Sequence, residues 1–351
     1  TMTNHARLQL GKQWGMRRMA NAQGHFTMVA LDQRPPIINL IAAKRGITAE
    51  QVSFGDVLAV KHLLVDVLGA QASAMLLDPN YAFPAALASL PARTGLVVTL
   101  EEHRFEETPH GRRSASIANW TVEKIKRVGG DGVKLLAWYR PDASPEICAH
   151  QKAYVQSIGD ACREHDIPFV FELLVYPFPS SASHTTDYVE SPEKQPALVL
   201  DSVREFADPK YGVDLFKLES PLPGASLPER DGGAAHQQAQ AHFDEMGQIC
   251  ADAGIPWVML SAGVTSAQFL RVMEYAYAAG ANGFLAGRAV WSEALQAYPD
   301  LAACRERLLA QGPQTLKQLG ELTARAGNAW KPDYSGFASM VREGDVCLSY
   351  A

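Results

Sequence analysis

One repeated alternation constrains this chain more than any other feature. Short apolar runs recur from residue 25 to residue 289, each followed by a longer amphipathic or polar segment. Eight of them read as buried strands: HFTMVALD (25–32), ASAMLLD (72–78), GLVVTLEE (95–102), GVKLLAWY (132–139), PFVFELLVY (168–176), VDLFKLES (213–220), PWVMLSAG (256–263) and NGFLAGRA (282–289). Most lack strict polar alternation. A strand apolar on both faces is covered on both, which implies parallel strands under helices. The intervening segments carry helical spacing with start and stop signals. FGDVLAVKHLLVDVLGA (54–70) ends in a glycine, SIANWTVEKIKRVGG (116–130) in a glycine pair, and the segment 144–166 opens on Ser144 followed by Pro145. Helices are also expected at 196–207, 234–254 and 265–280.

Eight βα units in one chain predict an α/β fold of the (β/α)₈ TIM-barrel class, a single domain with a C-terminal helical extension. The boundaries follow: an N-terminal helical segment over 1–24, the barrel over 25–300, and an extension over 301–351 that packs on the barrel or on a neighbouring subunit. An open doubly wound sheet is the competing architecture. No GxGxxG follows the first run, which weighs against a dinucleotide fold.

The bulk numbers agree. Of 351 residues, 47% are hydrophobic and 20% charged, enough apolar content for a large core. A net charge of −6 gives no general pull toward nucleic acid or anionic lipid, so neither is an expected partner, and an anionic ligand needs local donors. No stretch approaches the ~20 apolar residues that span a bilayer. Cysteines stand at 148, 162, 250, 304 and 347, an odd set with no CxxC, and read as reduced thiols. With no signal-peptide pattern at the start, a soluble cytoplasmic protein is expected.

In a barrel the chemistry sits at the C-terminal ends of the strands. Those ends supply Asp32, Asp78, Glu101, Lys134, Glu172, Lys217, Ser261 and Arg288. Seven of the eight are ionisable, and charged side chains inside apolar runs are costly unless paired, so the set converging on one mouth points to a site rather than to isolated ion pairs. Lys217 in DLFKLES and Lys134 in GVKLLAW carry most weight. A neutral lysine amine attacks carbonyls, and burial or a second cation lowers its pKa. The bland alternative pairs one lysine with Glu172 or Asp32. Glu172, on the strand between them, suits proton shuttling. SAGVTS after run seven and AGRAVW after run eight place small residues and Arg288 where barrels bind phosphate. No cluster with zinc-ligand spacing stands at the strand ends, and His103 and His110 are too far apart and too loop-like to supply one.

At these residues the chain resembles the LacD-type class I aldolases, a family that joins tagatose-1,6-bisphosphate aldolases with sulfofructosephosphate aldolases. ALDQR, LLDPNY, GVKLL, PFVFELLVY, DLFKLESP, LSAGV and GRAVW carry the likeness, in order, from about residue 28 to 291. The resemblance implies that Lys217 forms a Schiff base and that Glu172 is the main acid/base. It implies that Lys134 and Asp32, with Gln33, orient the ketose and tune the lysine. Ser261, Gly263, Gly287 and Arg288 would hold the C1 phosphate. It further implies no metal, no organic cofactor, a phosphosugar substrate and a homo-oligomer. Arg34, Asp78 and Glu101 complete the expected substrate contacts, with His103 and Arg104 as further candidates near the far end of the ketose. Pro35 and Pro36 are expected to stiffen the loop after the first strand. Two rivals accompany the bisphosphate aldolase: an aldolase acting on a 6-sulfo ketose 1-phosphate, and a phosphosugar-binding regulatory protein without turnover.

Overall fold

The structure, a computed structural model, describes residues 9–192 and 194–332. All eight expected strands form. They are β1 (Phe26–Leu31), β2 (Ala74–Leu77), β3 (Gly95–Thr99), β6 (Gly132–Trp138), β7 (Phe169–Leu174), β8 (Leu215–Leu218), β9 (Trp257–Leu260) and β10 (Gly283–Ala286). They close as β1-β10-β9-β8-β7-β6-β3-β2, every neighbour parallel. The open-sheet alternative is thereby excluded, because a closed order leaves no edge. Two further strands, β4 (Glu106–Thr108) and β5 (Gly111–Arg113), form an antiparallel hairpin after β3.

Helices α3 (Phe54–Leu68), α6 (Pro145–Glu164), α7 (Pro196–Phe206), α8 (Ala234–Ala253) and α9 (Ser266–Ala278) stand close to their expected bounds. Their starts are chemically fixed. Ser144 accepts from the Ile147 N–H with Pro145 behind it, and Thr265 with Gln268 closes a capping box. Helix α5 (Val122–Arg127) is shorter than the expected 116–130. Ser116 instead bridges to Glu101, and Trp120 donates its indole N–H to the Thr99 carbonyl at 3.0 Å. The loop expected at Pro35 and Pro36 is a helix, α2 (Pro35–Arg45). The prolines occupy its first turn, where their missing N–H groups have no partner to lose, and Gly46 ends it at φ 66°. Helix α4 (Ala82–Ser89) lies in the β2–β3 connection, and α10 (Arg288–Trp291) follows β10 directly.

Alternation along the strands decides what faces the barrel axis. The floor is apolar: Met28, Val97, Val170, Leu215, Val258 and Leu285 form one buried cluster. Helix α1 (Leu10–Met19) plugs it from below with Met16 and Met19, and Lys12 pairs with Asp214 at 2.8 Å. Trp330 joins this floor, its N–H bonded to the Gly24 carbonyl at 2.8 Å. The long helix α11 (Leu301–Ala326) packs along α3 and α9 and buries Leu308 and Leu319. The rest of the expected C-terminal segment, with Cys347, lies outside the described residues. Among the described residues no helix is long and apolar enough to cross a membrane.

Candidate active site

Two residues above the floor, the same inward-facing positions turn ionic. On β8 Leu215 gives way to Lys217, on β7 Val170 to Glu172, and on β1 Met28 and Ala30 to Asp32 just past the strand. Each of the three side chains is almost wholly buried. The register sets Glu172 directly beside Lys217 on the neighbouring strand, and Lys217 Nζ lies 2.9 Å from Glu172 Oε2.

The same oxygen is 3.0 Å from Lys134 Nζ, so one carboxylate oxygen joins both lysines. Lys134 also donates to Asp32 Oδ2 at 2.8 Å and to Glu101 Oε1 at 2.5 Å. The acids have further anchors. Thr99 Oγ1 donates to Asp32 Oδ2 at 2.7 Å, and the Leu136 N–H to Glu101 Oε2 at 3.0 Å. Burial acts against charge on Lys134, but Asp32, Glu101 and Glu172 outweigh it and hold the ammonium well above the ordinary lysine range. Burial likewise raises Asp32, yet Lys134 and Lys217 pull its carboxyl below the usual range. The Glu101 carboxyl rises through burial despite Lys134. Lys134 is therefore not lowered by a second cation: it is a charged residue held by three acids, and both pairings of the bland alternative, with Asp32 and with Glu172, are present.

Two chambers meet over this cluster. The first is lined by Ser261, Gly263, Gly287 and Arg288. The second is lined by Asp32, Arg34, Glu101, His103 and Lys134. Gln33, Glu172, Tyr188 and Lys217 line both.

In the first chamber Gly263 has φ +77°, and a Cβ there would stand 3.1 Å from the Arg288 guanidinium carbon. Glycine both permits the left-handed turn and leaves the arginine room. A Cβ at Gly287 would meet Gln33 Nε2 at 2.5 Å. Small residues thus keep backbone N–H groups and one guanidinium open to an anion. In the second chamber Arg34 is buried and donates from Nη2 to the Glu101 carbonyl at 3.1 Å. Its Nε and Nη1, and Gln33 Oε1, have no hydrogen-bond partner among the described residues. Buried polar groups without a partner are costly, and a ligand in this chamber would satisfy the two Arg34 donors and the Gln33 acceptor. His103 is pushed down by burial and then by Arg34, so its ring is neutral at pH 7.

The structure brings together Asp32, Gln33, Arg34, Glu101, Lys134, Glu172, Lys217, Ser261, Gly263, Gly287 and Arg288. Asp78 does not join them. It is fully buried against Lys61 of α3 and accepts the Tyr81 N–H at 2.7 Å and the Ala82 N–H at 3.3 Å, at the start of α4. It lines neither chamber. Lys61 also donates to the Leu31 carbonyl at 2.8 Å, one residue before Asp32. Sequence reasoning missed Lys61, whose one signal was a lysine inside the apolar run VLAVKHLLV, and Thr99, an inward polar residue in GLVVTL. It also missed Tyr188, in a long loop with no periodic pattern.

Comparison with known proteins places this geometry. The family model described as "DeoC/LacD family aldolase" matches residues 26–293. A tagatose 1,6-diphosphate aldolase of Listeria monocytogenes is 33% identical over 338 residues, covering 94% of this chain and 96% of that one. A Streptococcus mutans protein named tagatose 1,6-diphosphate aldolase 1 is 30% identical, covering 90% and 96%. Among solved structures, a fructose-bisphosphate aldolase of Plasmodium falciparum superposes with a TM-score of 0.62 at 12% identity, over 93% of this chain and 97% of that one. A Schiff-base-forming fructose-1,6-bisphosphate aldolase superposes at 0.54 and 17% identity, over 88% and 98%; at such identities the likeness is one of fold. The family expected from the strand-end motifs is the one that matches, and the chain belongs to the DeoC/LacD family of aldolases.

Proposed function

We propose that this aldolase is a class I, Schiff-base enzyme that cleaves a phosphorylated ketohexose of the tagatose or fructose 1,6-bisphosphate type into dihydroxyacetone phosphate and an aldehyde. One observation carries the reading: Lys217 Nζ lies 2.9 Å from Glu172 Oε2, at the junction of two chambers that both offer anion donors. The named substrate of the relatives, tagatose 1,6-diphosphate, has an anionic group at each end.

The roles follow from position. The C1 phosphate sits in the first chamber against Ser261, the Gly263 and Gly287 backbone, and Arg288. That places C2 over Lys217 and sends the rest of the ketose into the second chamber, toward the free donors of Arg34. Glu172 takes a proton from the Lys217 ammonium, and the amine adds to C2. The carbinolamine then loses water as Glu172 returns that proton to the departing hydroxyl. In the iminium, Glu172, again a carboxylate, takes the C4 hydroxyl proton, the C3–C4 bond breaks, and its electron pair moves into the iminium to give an enamine. The aldehyde leaves. Protonation at C3 and hydrolysis release dihydroxyacetone phosphate. Lys134, fixed in its charged form by Asp32 and Glu101, is a standing cation for the ketose hydroxyls, with Gln33 beside it. All four described cysteines are free, as suits a cytoplasmic enzyme.

A substrate panel tests the reading. Ketohexose 1-phosphates carrying phosphate, sulfonate or hydroxyl at C6 are assayed for dihydroxyacetone phosphate release, with and without EDTA. EDTA-insensitive cleavage that depends on the C1 phosphate is expected. No release from any member of the panel would sink the proposal and leave a binding protein.

A further inference from the structure

A buried ion cluster stands outside both chambers and takes no part in the chemistry above. Its centre is Lys194, near the end of the long connection between β7 and α7, with a fully buried side chain. Lys194 Nζ lies 2.6 Å from Glu190 Oε1 and 3.2 Å from Glu219 Oε1. None of the three lines a chamber. Both acids are anchored a second time. Glu219 stands two residues past Lys217, and its Oε2 accepts the Val175 N–H at 2.7 Å, one residue past β7. One carboxylate thus ties the ends of the strands that carry Glu172 and Lys217. Glu190 accepts the Gly224 N–H at 2.9 Å with each of its oxygens, at the turn Gly224–Ser226.

Glu190 directly follows the wall of the first chamber. Tyr188 and Val189 line that chamber, and the Tyr188 carbonyl accepts from Arg288 Nη2. The same guanidinium packs against Gly263, where a Cβ would stand 3.1 Å from its carbon. The carbonyl that aims the arginine and the carboxylate that Lys194 holds are therefore two residues apart. An apolar side chain of equal volume would bury this connection about as well, because a buried ion pair adds little net stability over a hydrophobic replacement. What charges in fixed hydrogen-bond geometry add is direction.

We infer that Lys194 is a positioning residue for phosphate binding: by holding Glu190 to the end of β8 it fixes the Tyr188 carbonyl, and through that carbonyl the direction in which Arg288 meets the C1 phosphate. The inference rests on the first chamber holding that phosphate, as in the aldolase reading above.

Two variants cut the link from opposite ends. Lys194→Met removes the cation. Glu190→Ala removes one carboxylate and leaves the Lys194–Glu219 pair and the tie between β7 and β8 in place, so it decides the matter if Lys194→Met does not fold. KM and kcat are measured for each with the ketohexose 1,6-bisphosphate that the wild type cleaves, alone and combined with Arg288→Ala. KM should rise about tenfold, part of the loss expected for Arg288→Ala itself, while kcat stays within about twofold. In the Arg288→Ala background the same substitutions should change KM by less than about twofold, since the group they aim is gone. An unchanged KM in the folded variants, or a rise that persists in full beside Arg288→Ala, would overturn the inference. So would a fall in kcat at constant KM, which would assign the cluster to the ends of β7 and β8. A wild type that cleaves no ketose 1-phosphate overturns the aldolase reading and this inference with it, whereas variants that match an active wild type overturn the inference alone.

Discussion

The floor and the mouth of this barrel are made by the same strands under the same alternation, and they bury opposite things. On β8 Leu215 and Lys217 are two residues apart and face the same axis. Below, Leu215 sits in a methionine-rich apolar cluster closed by α1 and Trp330. Above, Lys217 joins a cluster in which Glu172 bridges two lysines and Asp32 and Glu101 hold the second. The floor is stable because nothing in it needs a partner. The mouth is stable only as a set, because each buried charge depends on the others. Stability and chemistry are thus separated by two residues along the chain, and variants at the two levels should fail differently.

The largest effect is expected at the mouth. Lys217→Ala should lower cleavage by roughly four to six orders of magnitude, since the covalent route disappears. Steady-state release of dihydroxyacetone phosphate measures it, and near-wild-type turnover would erase the distinction between the two levels.

Lys134→Met should next cost stability, about 3–5 kcal/mol, by leaving buried acids without their cation. The effect should depend on pH. Burial raises Asp32, but Lys134 and Lys217 hold it below its unfolded value. Such a group contributes stability above the unfolded pKa and loses it as pH falls through the folded one. Without Lys134 that contribution shrinks and the remaining acids shift upward. The deficit relative to wild type should therefore grow from acid to neutral pH. Thermal unfolding of both proteins at pH 3 and pH 8 checks this, and an equal deficit at both would show that Lys134 acts by packing alone.

At the floor, Leu215→Ala should lower stability by about 2–5 kcal/mol through the cavity it leaves. Its kcat, measured below the unfolding transition, should stay within about threefold of wild type. A kcat that fell as far as that of Lys217→Ala would mean that the levels are coupled.

The smallest effect is expected in the first chamber. Arg288→Ala should raise KM for the phosphorylated ketose about ten- to a hundredfold, as a charged hydrogen-bonding partner of the phosphate is lost, with a lesser change in kcat. A KM unchanged by this substitution would move the C1 phosphate elsewhere.

The strands were legible because being apolar on both faces leaves a signature that neither Gly nor Pro interrupts, and the register that sets Glu172 beside Lys217 follows from them. The ionic residues were legible because each stands out against an apolar run. What was hidden depended on tertiary partners. Asp78 looks like its neighbours at the mouth until Lys61, from a helix on the outside, claims it. Pro35 and Pro36 suit a stiff loop and a first helical turn equally well, and the chain after them decides. Lys134 as a residue was readable, but its charge state was not, because three acids from three other strands set it. Tyr188 had no local signal at all: its place follows from the bonds of Thr185, His184 and Glu190 to distant segments.

The central claim is that one amine on the sixth barrel strand becomes covalently joined to the substrate. The direct measurement is peptide mass mapping of enzyme reduced with borohydride in the presence of dihydroxyacetone phosphate. The account predicts a single stoichiometric adduct on the peptide that contains Lys217, absent from Lys217→Ala. An adduct on Lys134, or no adduct on an enzyme that still cleaves its ketose, would contradict it.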